Sequence, residues 1–472
     1  MDPGRVIVIL ITNSLILYFG IYGFLNLLFL IIFIQDFLRR KFREPDFSES
    51  PRVTVLVPSY NEEKVIVKTL EALLDLDYPN FEIIAIDDGS EDDTSERVIE
   101  SFGMKPCERK LSGRLKTRSI LKTYVSDRVS NLTLVKKENG GKSDALNAGI
   151  NYASGDIIVT IDADTILAPG SLRRIVEPFL KGDAAAVGGL LTLSNGVKFR
   201  GNRPISADVP GKALLLFQLI EYLVSYTIGR VALSRLNSLL VLSGAFSAFD
   251  RDLLLEIGGF LSYPAHGKHT VCEDMEVIIR LHRFLKEKKI DRKILFEPFP
   301  VAWTEAPSDA SSVLKQRNRW HRGLAESLIS HREMLFEPRY GRLGLFAVPY
   351  YFLFEFLAPA IKVLSLIFLV LLALMKLVHL QFVIALFLFA VIVSALYTAL
   401  LTTLVEYKFK KISKENIEAL RYRNFASWLK LVTYSFVLEP AFGLLRLAGQ
   451  LWGIYDFLRG SKDWYKYERE TA

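Results

Sequence analysis

Cysteine is almost missing: Cys107 and Cys272 are the only two in 472 residues. So few thiols, so far apart, exclude a disulfide-framed scaffold and suit a reducing compartment. No internal repeat and no low-complexity tract occurs, which excludes solenoids and biased linkers. No basic, aromatic-interleaved stretch is present to grip nucleic acid, so the net charge of +7 needs another source. The spacing of a P-loop is absent. Between residues 45 and 340 no apolar run reads as long enough to cross a bilayer, so that stretch is expected to form one large soluble domain.

What is abundant is apolar sequence, half of the chain, with a mean hydropathy of +0.25. Val6 to Ile34 carries no charge and stops at Asp36, followed by Arg39, Arg40, Lys41 and Arg43. It is too long for a signal peptide and lacks a small-residue cleavage site, so an uncleaved anchor with its basic end in the cytosol is expected. Further apolar blocks run from Leu345 to Met375, Val378 to Val405 and Leu431 to about Leu458. Lys408, Lys410, Lys411, Lys414, Arg421 and Arg423 place the loop after the second block on the cytosolic side. The third block either crosses, leaving Arg459, Lys462, Lys466 and Arg469 outside, or is broken at Glu439-Pro440 into an interfacial or re-entrant segment. These juxtamembrane clusters explain most of the net charge and suit an anionic leaflet. The expected plan is an anchor with its basic flank (1–44), a cytosolic domain (45–325), an interfacial helix (326–344), a membrane region (345–458) and a basic tail (459–472).

Inside the soluble domain, strand and helix patterns alternate. Val53–Val57 reads as a buried strand, Glu62–Leu76 as a helix and Phe81–Ile86 as a second strand, a βαβ unit. In such sheets ligands gather at the carboxyl ends of the strands, where Pro58-Ser59-Tyr60-Asn61-Glu62 and Asp87-Asp88-Gly89-Ser90 fall. Asp88 can accept hydrogen bonds from a base or ribose and Tyr60 can stack, while capping by Ser59 or Asn61 and a turn at Asp88-Gly89 are the alternative reading. Gly140-Gly141-Lys142 follows a third strand, Leu132–Val135, and opens a helix, an arrangement suited to an anion. Asp162 and Asp164 end another strand. Two apart on an extended chain, they point the same way and can share one hard divalent cation; alternatively Asp162 starts a turn and caps the helix signalled by Pro169-Gly170-Ser171.

The order of these motifs resembles the family 2 inverting glycosyltransferases of GT-A fold, an α/β fold with a mostly parallel sheet. Downstream, Ser243-Gly244-Ala245-Phe246, Cys272-Glu273-Asp274 and Gln316-Arg317-Asn318-Arg319-Trp320 are similar to the membrane-embedded branch that includes cellulose, hyaluronan, chitin-oligosaccharide and poly-N-acetylglucosamine synthases. The resemblance covers roughly residues 50 to 325, with a weaker likeness to the last group at Gly460-Ser461-Lys462-Asp463-Trp464. It implies a UDP-sugar donor held by Pro58, Tyr60, Glu62, Asp88, Lys142, Asp162, Asp164 and Arg319. It implies Mg2+ or Mn2+ on Asp164, supported by Asp162, and an acceptor, glycan or glycolipid, met by Ser243, Gly244, Ala245, Glu273, Gln316 and Trp320. Asp274 is the implied catalytic base. Helix capping by Glu273, Asp274 and Glu276, and an interfacial helix around Arg319-Trp320, are the structural alternatives.

These readings point to a processive polysaccharide synthase in the plasma membrane, multi-pass, with the catalytic domain cytosolic and accessory membrane subunits as possible partners. A single-addition glycolipid synthase is the alternative within the same chemistry; a non-catalytic carbohydrate-binding or scaffold subunit is the alternative outside it. Glu355 and Lys362, seven apart in the first C-terminal block, either line a polar path or mark a partly interfacial helix near Pro359. Phe102–Ser130 and Lys198–Lys212 depart from the family pattern and are read as pocket covers, partner sites or plain loops.

Overall fold

The structure, a computed structural model, describes residues 3–39, 50–109, 113–268, 270–412 and 425–461. Arg40, Lys41, Arg43, Lys414, Arg421, Arg423, Lys462, Lys466 and Arg469 lie outside the described residues, as does most of the tail motif.

Twelve strands occur among the described residues: β1 (Val53–Ser59), β2 (Phe81–Asp87), β3 (Met104–Pro106), β4 (Ile120–Ser126), β5 (Leu132–Lys137), β6 (Ile157–Ile161), β7 (Ile166–Leu167), β8 (Ala184–Leu193), β9 (Val197–Arg200), β10 (Arg203–Ala207), β11 (Phe246–Asp250) and β12 (Lys293–Thr304). Ten form one sheet in the order β3-β4-β5-β2-β1-β6-β11-β8-β12-β7. Its centre, β5-β2-β1-β6, is parallel, so Ser59, Asp87, Lys137 and Ile161 end on one edge. Strands covered on both faces read as unbroken apolar runs, and Val55–Val57 and Ile83–Ile86 are accordingly fully buried. β11 runs antiparallel between β6 and β8, which makes the sheet mixed. The expected α/β fold is the one found.

The helix expected over Glu62–Leu76 is shorter, Ile66–Leu74, because the Glu62 carbonyl accepts both Val65 N and Ile66 N in a turn. Phe102–Ser130 is more than a loop: β3 and β4 extend the sheet edge beyond β5. Lys198–Lys212 contains most of the β9–β10 hairpin, whose Phe199 packs edge-on to Trp303 at 5.3 Å.

Two apolar helices are long enough to cross a membrane where the sequence placed them, Arg5–Asp36 and Leu380–Val405. A third, Ala213–Arg235, corrects the expectation that none lies between 45 and 340. Glu221 and Arg230 interrupt its apolar run, and 67% of its apolar window is buried inside the protein. The block from Leu345 bends by 49° between Leu343–Phe356 and Ala358–Leu374, beside Pro359, and the last block bends by 47° at Glu439-Pro440. A proline has no N–H for the helical ladder, which accounts for both breaks. The single interfacial helix expected over 326–344 is also corrected. The helix Ala310–Ser330 ends there and short 3-10 turns follow at Arg332–Met334 and Pro338–Tyr340. Phe336 and Gly341 take positive φ values of 57°, which no continuous right-handed helix accommodates.

Candidate active site

One continuous cavity of about 3480 Å³ opens along the carboxyl edge of the parallel strands and reaches into the apolar helices. Pro58 lines it near the end of β1 and Tyr60 and Glu62 just after it, Asp88 after β2, Lys142 after β5, and Asp162 and Asp164 after β6. Ser243, Gly244, Ala245, Glu273 and Asp274 form a facing wall, with Gln316, Arg319 and Trp320 beyond. The structure thus brings every candidate donor, acceptor, metal and base residue named from the sequence to the lining of one space.

Asp162 and Asp164 are half-buried on the cavity side, while Ala163 between them is buried. Asp162 turns the chain, its carbonyl accepting Thr165 N at 3.0 Å, but it caps no helix: Ser171–Leu180 starts from Gly170 with no side-chain cap. Its carboxylate is instead 2.6 Å from the Lys142 ammonium, which also lies 2.8 Å from Glu273 Oε1. Burial opposes the charge on Lys142, yet the two carboxylates hold its pKa above the usual lysine value. Among the described residues no group of three or more His, Cys, Asp or Glu side chains gathers to hold a metal. Two carboxylates are nonetheless what a Mg2+-sized ion takes from protein when phosphate oxygens and water complete its shell. Asp162 and Asp164 therefore fit a cation that arrives on a diphosphate.

Asp88 is more occupied than the sequence reading assumed. It is buried, Oδ1 accepting Lys137 Nζ at 2.5 Å and Gly140 N at 3.1 Å, and Oδ2 accepting Gly141 N at 2.7 Å. Burial raises its pKa against the pull of Lys137. Lys137 is itself fully buried and reaches Asp144 at 2.7 Å. Asp88 thus braces the glycine turn that presents Lys142. Gly140 is required there, since a Cβ would lie 2.2 Å from Asp144 Oδ2.

Asp274 is the second residue of the helix Glu273–Glu287. Gly244 N donates to its Oδ2 at 3.1 Å and Cys272 Sγ to its Oδ1 at 3.0 Å. Burial and then the adjacent Glu273 raise its pKa, while Cys272 and Lys142 pull it down. A carboxylate raised in this way binds a proton more readily than a free one, as a general base must.

The helix Ala310–Ser330 is capped by Asp309, whose side chain accepts Ser312 N at 2.9 Å. Gln316 and Trp320, four apart, share its cavity face. Gln316 is buried and its Oε1 has no hydrogen-bond partner among the described residues. Arg317 stacks over the Trp320 ring at 4.2 Å and pairs with Glu221 at 2.5 Å; Glu221 also takes Arg446 at 3.2 Å. Asn318 donates to Asp456 at 2.8 Å. Gly449 and Gly453 let the helix Leu444–Arg459 approach so closely that a Cβ on either would lie 2.7 Å from Arg317 Cβ or Asn318 O respectively. Sequence reasoning missed Lys137, Glu221, Arg446 and Asp456. For Glu221 a signal existed, a carboxylate inside an apolar stretch.

The sheet, its carboxyl-edge cavity and the paired carboxylates define a GT-A glycosyltransferase fold. Residues 54–108 match the description "Glycosyl transferase family 2" and residues 115–323 "Glycosyltransferase like family 2", together more than half of the chain. The chain belongs to glycosyltransferase family 2. It is 27% identical over 277 residues to a poly-beta-1,6-N-acetyl-D-glucosamine synthase of Staphylococcus epidermidis, covering 59% of this chain and 55% of that protein. The match thus spans little more than half the length of such relatives. A probable glycosyltransferase of Bacillus subtilis is 27% identical over 412 residues, covering 84% of this chain and 85% of that one. Among solved structures, a mannosyltransferase from Pyrobaculum calidifontis in complex with GDP-Man and Mn2+ shares the fold, with a TM-score of 0.54, 18% identity and coverage of 96% of this chain and 100% of that one.

Proposed function

We propose that the chain is a processive, inverting β-glycosyltransferase that moves sugar from a UDP-sugar to a growing glycan and passes the product across the plasma membrane, with its catalytic domain on the cytosolic side. The observation that carries this reading is the single cavity that joins Asp162, Asp164 and Asp274 to Trp320 and then to the apolar helices. In the proposed step, Asp274 takes the proton of the acceptor hydroxyl as that oxygen attacks the anomeric carbon; the bond to the diphosphate breaks on the opposite face and the configuration inverts. Lys142 and Arg319 offer positive charge to the departing UDP, and Arg319 has the planar fork that suits phosphate. A divalent cation held by Asp162 and Asp164 supplies further charge neutralisation when bound. Trp320 gives the acceptor sugar a flat face and Gln316 an unfilled hydrogen-bond acceptor.

One observation favours addition to a lipid acceptor instead: the far part of the cavity is walled by apolar side chains such as Ile9, Ile16, Leu366, Phe382 and Phe387. Product length separates the two. Labelled UDP-sugars with Mg2+ or Mn2+ should give long chains under the first reading and single additions under the second. Asp274→Asn should abolish transfer while UDP binding persists, and release of UDP from no nucleotide sugar would sink the enzyme reading in favour of a scaffold.

A further inference from the structure

The departure at Phe102–Ser130 places one of its residues in the cavity. From Gly113 to Ser119 the chain passes against the helix Lys142–Tyr152 and is pinned to it. Leu115 N donates to Asn151 Oδ1 at 3.1 Å, and Asn151 Nδ2 returns a bond to Leu115 O at 2.8 Å. Arg118 N donates to Asp144 Oδ2 at 3.1 Å, and the Leu115 side chain is buried. The segment is therefore a fixed part of the site wall. Arg118 is exposed and shares that wall with Asp88, Asn139, Gly140 and Gly141. No hydrogen bond or ion pair of its guanidinium occurs among the described residues.

Its place in the sheet says which part of a ligand it meets. Ile120, which opens β4, pairs with Lys137 at the end of β5, so Arg118 stands on the same carboxyl edge as the other site residues. The strand it leads into, β4, is four strands from β6, the strand that ends just before Asp162, about 19 Å at the usual strand spacing. On the nucleotide-sugar reading, a diphosphate near Asp162, Asp164 and Lys142 would place its nucleoside along the same cavity toward Asp88 and Arg118.

We propose that Arg118 reads the donor's nucleobase, an inference that rests on the nucleotide-sugar reading above. A guanidinium has donors only. It accepts a base that turns a keto oxygen toward it, as uracil, thymine or guanine can, and refuses one that turns an amino group, as cytosine does in place of the uracil O4. The selectivity for base is thus supplied by a residue outside the motifs read from the sequence.

The test uses the full chain in detergent or nanodiscs with Mg2+, titrated calorimetrically with UDP, GDP, CDP, ADP and pyrophosphate. The wild type should prefer UDP or GDP to CDP and ADP. Arg118→Ala should weaken the preferred nucleotide by roughly tenfold or more, the worth of a hydrogen bond from a charged donor, and leave CDP and pyrophosphate nearly unchanged. Arg118 is exposed, so an unchanged melting temperature should accompany the loss. Equal weakening of UDP, CDP and pyrophosphate would assign the arginine to phosphate and overturn the inference, as would unaltered selectivity in the variant or no preference for keto bases in the wild type. A wild type that binds no nucleotide overturns the nucleotide-sugar reading and this inference with it.

Discussion

Gly244 sits where three functional groups converge, and a single methyl group there probes whether they work from the positions observed. A Cβ on Gly244 would lie 3.0 Å from Lys142 Nζ, 3.2 Å from Glu273 Oε1 and 3.5 Å from Asp274 Cβ. The third contact is ordinary; the first two require the ammonium and the carboxylate to retreat by a few tenths of an ångström. Overpacking costs about 1–3 kcal/mol, and here the low end applies, because the displaced atoms are the tips of flexible side chains at a cavity wall. Gly244→Ala should therefore fold. Transfer should suffer more, since small displacements of reacting groups cost up to about a hundredfold; a loss of roughly tenfold to hundredfold in kcat is expected. Alanine keeps the N–H that Asp274 Oδ2 accepts, so the effect is steric and not a lost hydrogen bond. The assay is transfer at saturating nucleotide sugar, with kcat and KM separated and a melting curve alongside. Gly211→Ala serves as control, since a Cβ there meets nothing within 4 Å. Wild-type kcat in Gly244→Ala would refute the placement of Lys142, Glu273 and Asp274 as the working centre.

Cys272→Ala removes a donor that lowers the pKa of Asp274, so that pKa should rise. Because Asp274, as the proposed base, must be unprotonated, the acidic limb of the pH–rate profile should move to higher pH, while Cys272→Ser restores it; an unmoved limb in the alanine variant speaks against the thiol's part. Arg280→Ala strips Glu276, a buried carboxylate, of bonds at 2.9 and 2.8 Å, and should lower stability by about 3–5 kcal/mol, read as a fall in melting temperature. In the wild type, burial alone would raise the Glu276 pKa, but His331 and Arg280 bring it to about 2. Its stabilising contribution is thus present above its usual 4.5 and lost as pH falls toward about 2, a window that acid titration of the melting temperature checks.

The motifs were legible because each is a short stretch ending a strand or opening a helix, and local patterns survive in a linear string. Asp162 and Asp164 could be read as facing one way from strand geometry alone. What they face could not: the Lys142 bridge joins residues from three separate segments. Asp88 illustrates the same limit, since its position signalled a ligand contact while its bonds to Lys137, Gly140 and Gly141 depend on tertiary placement. The ties from Glu221 to Arg317 and Arg446 span 96 and 225 residues, beyond any periodicity. The interfacial helix expected over 326–344 came from the preference of arginine and tryptophan for a membrane boundary, a composition argument that carries no information about the end of the helix at Ser330 or the positive φ at Phe336.

Where Gly449 and Gly453 bring two backbones into contact, the helices Ala310–Ser330 and Leu444–Arg459 cannot slide independently. They form a lever with one arm among the apolar helices and the other carrying Trp320. A displacement of Leu444–Arg459 is then carried to Trp320 as movement of the whole Ala310–Ser330 helix, so packing at two glycines bears on the position of an indole that lines the cavity.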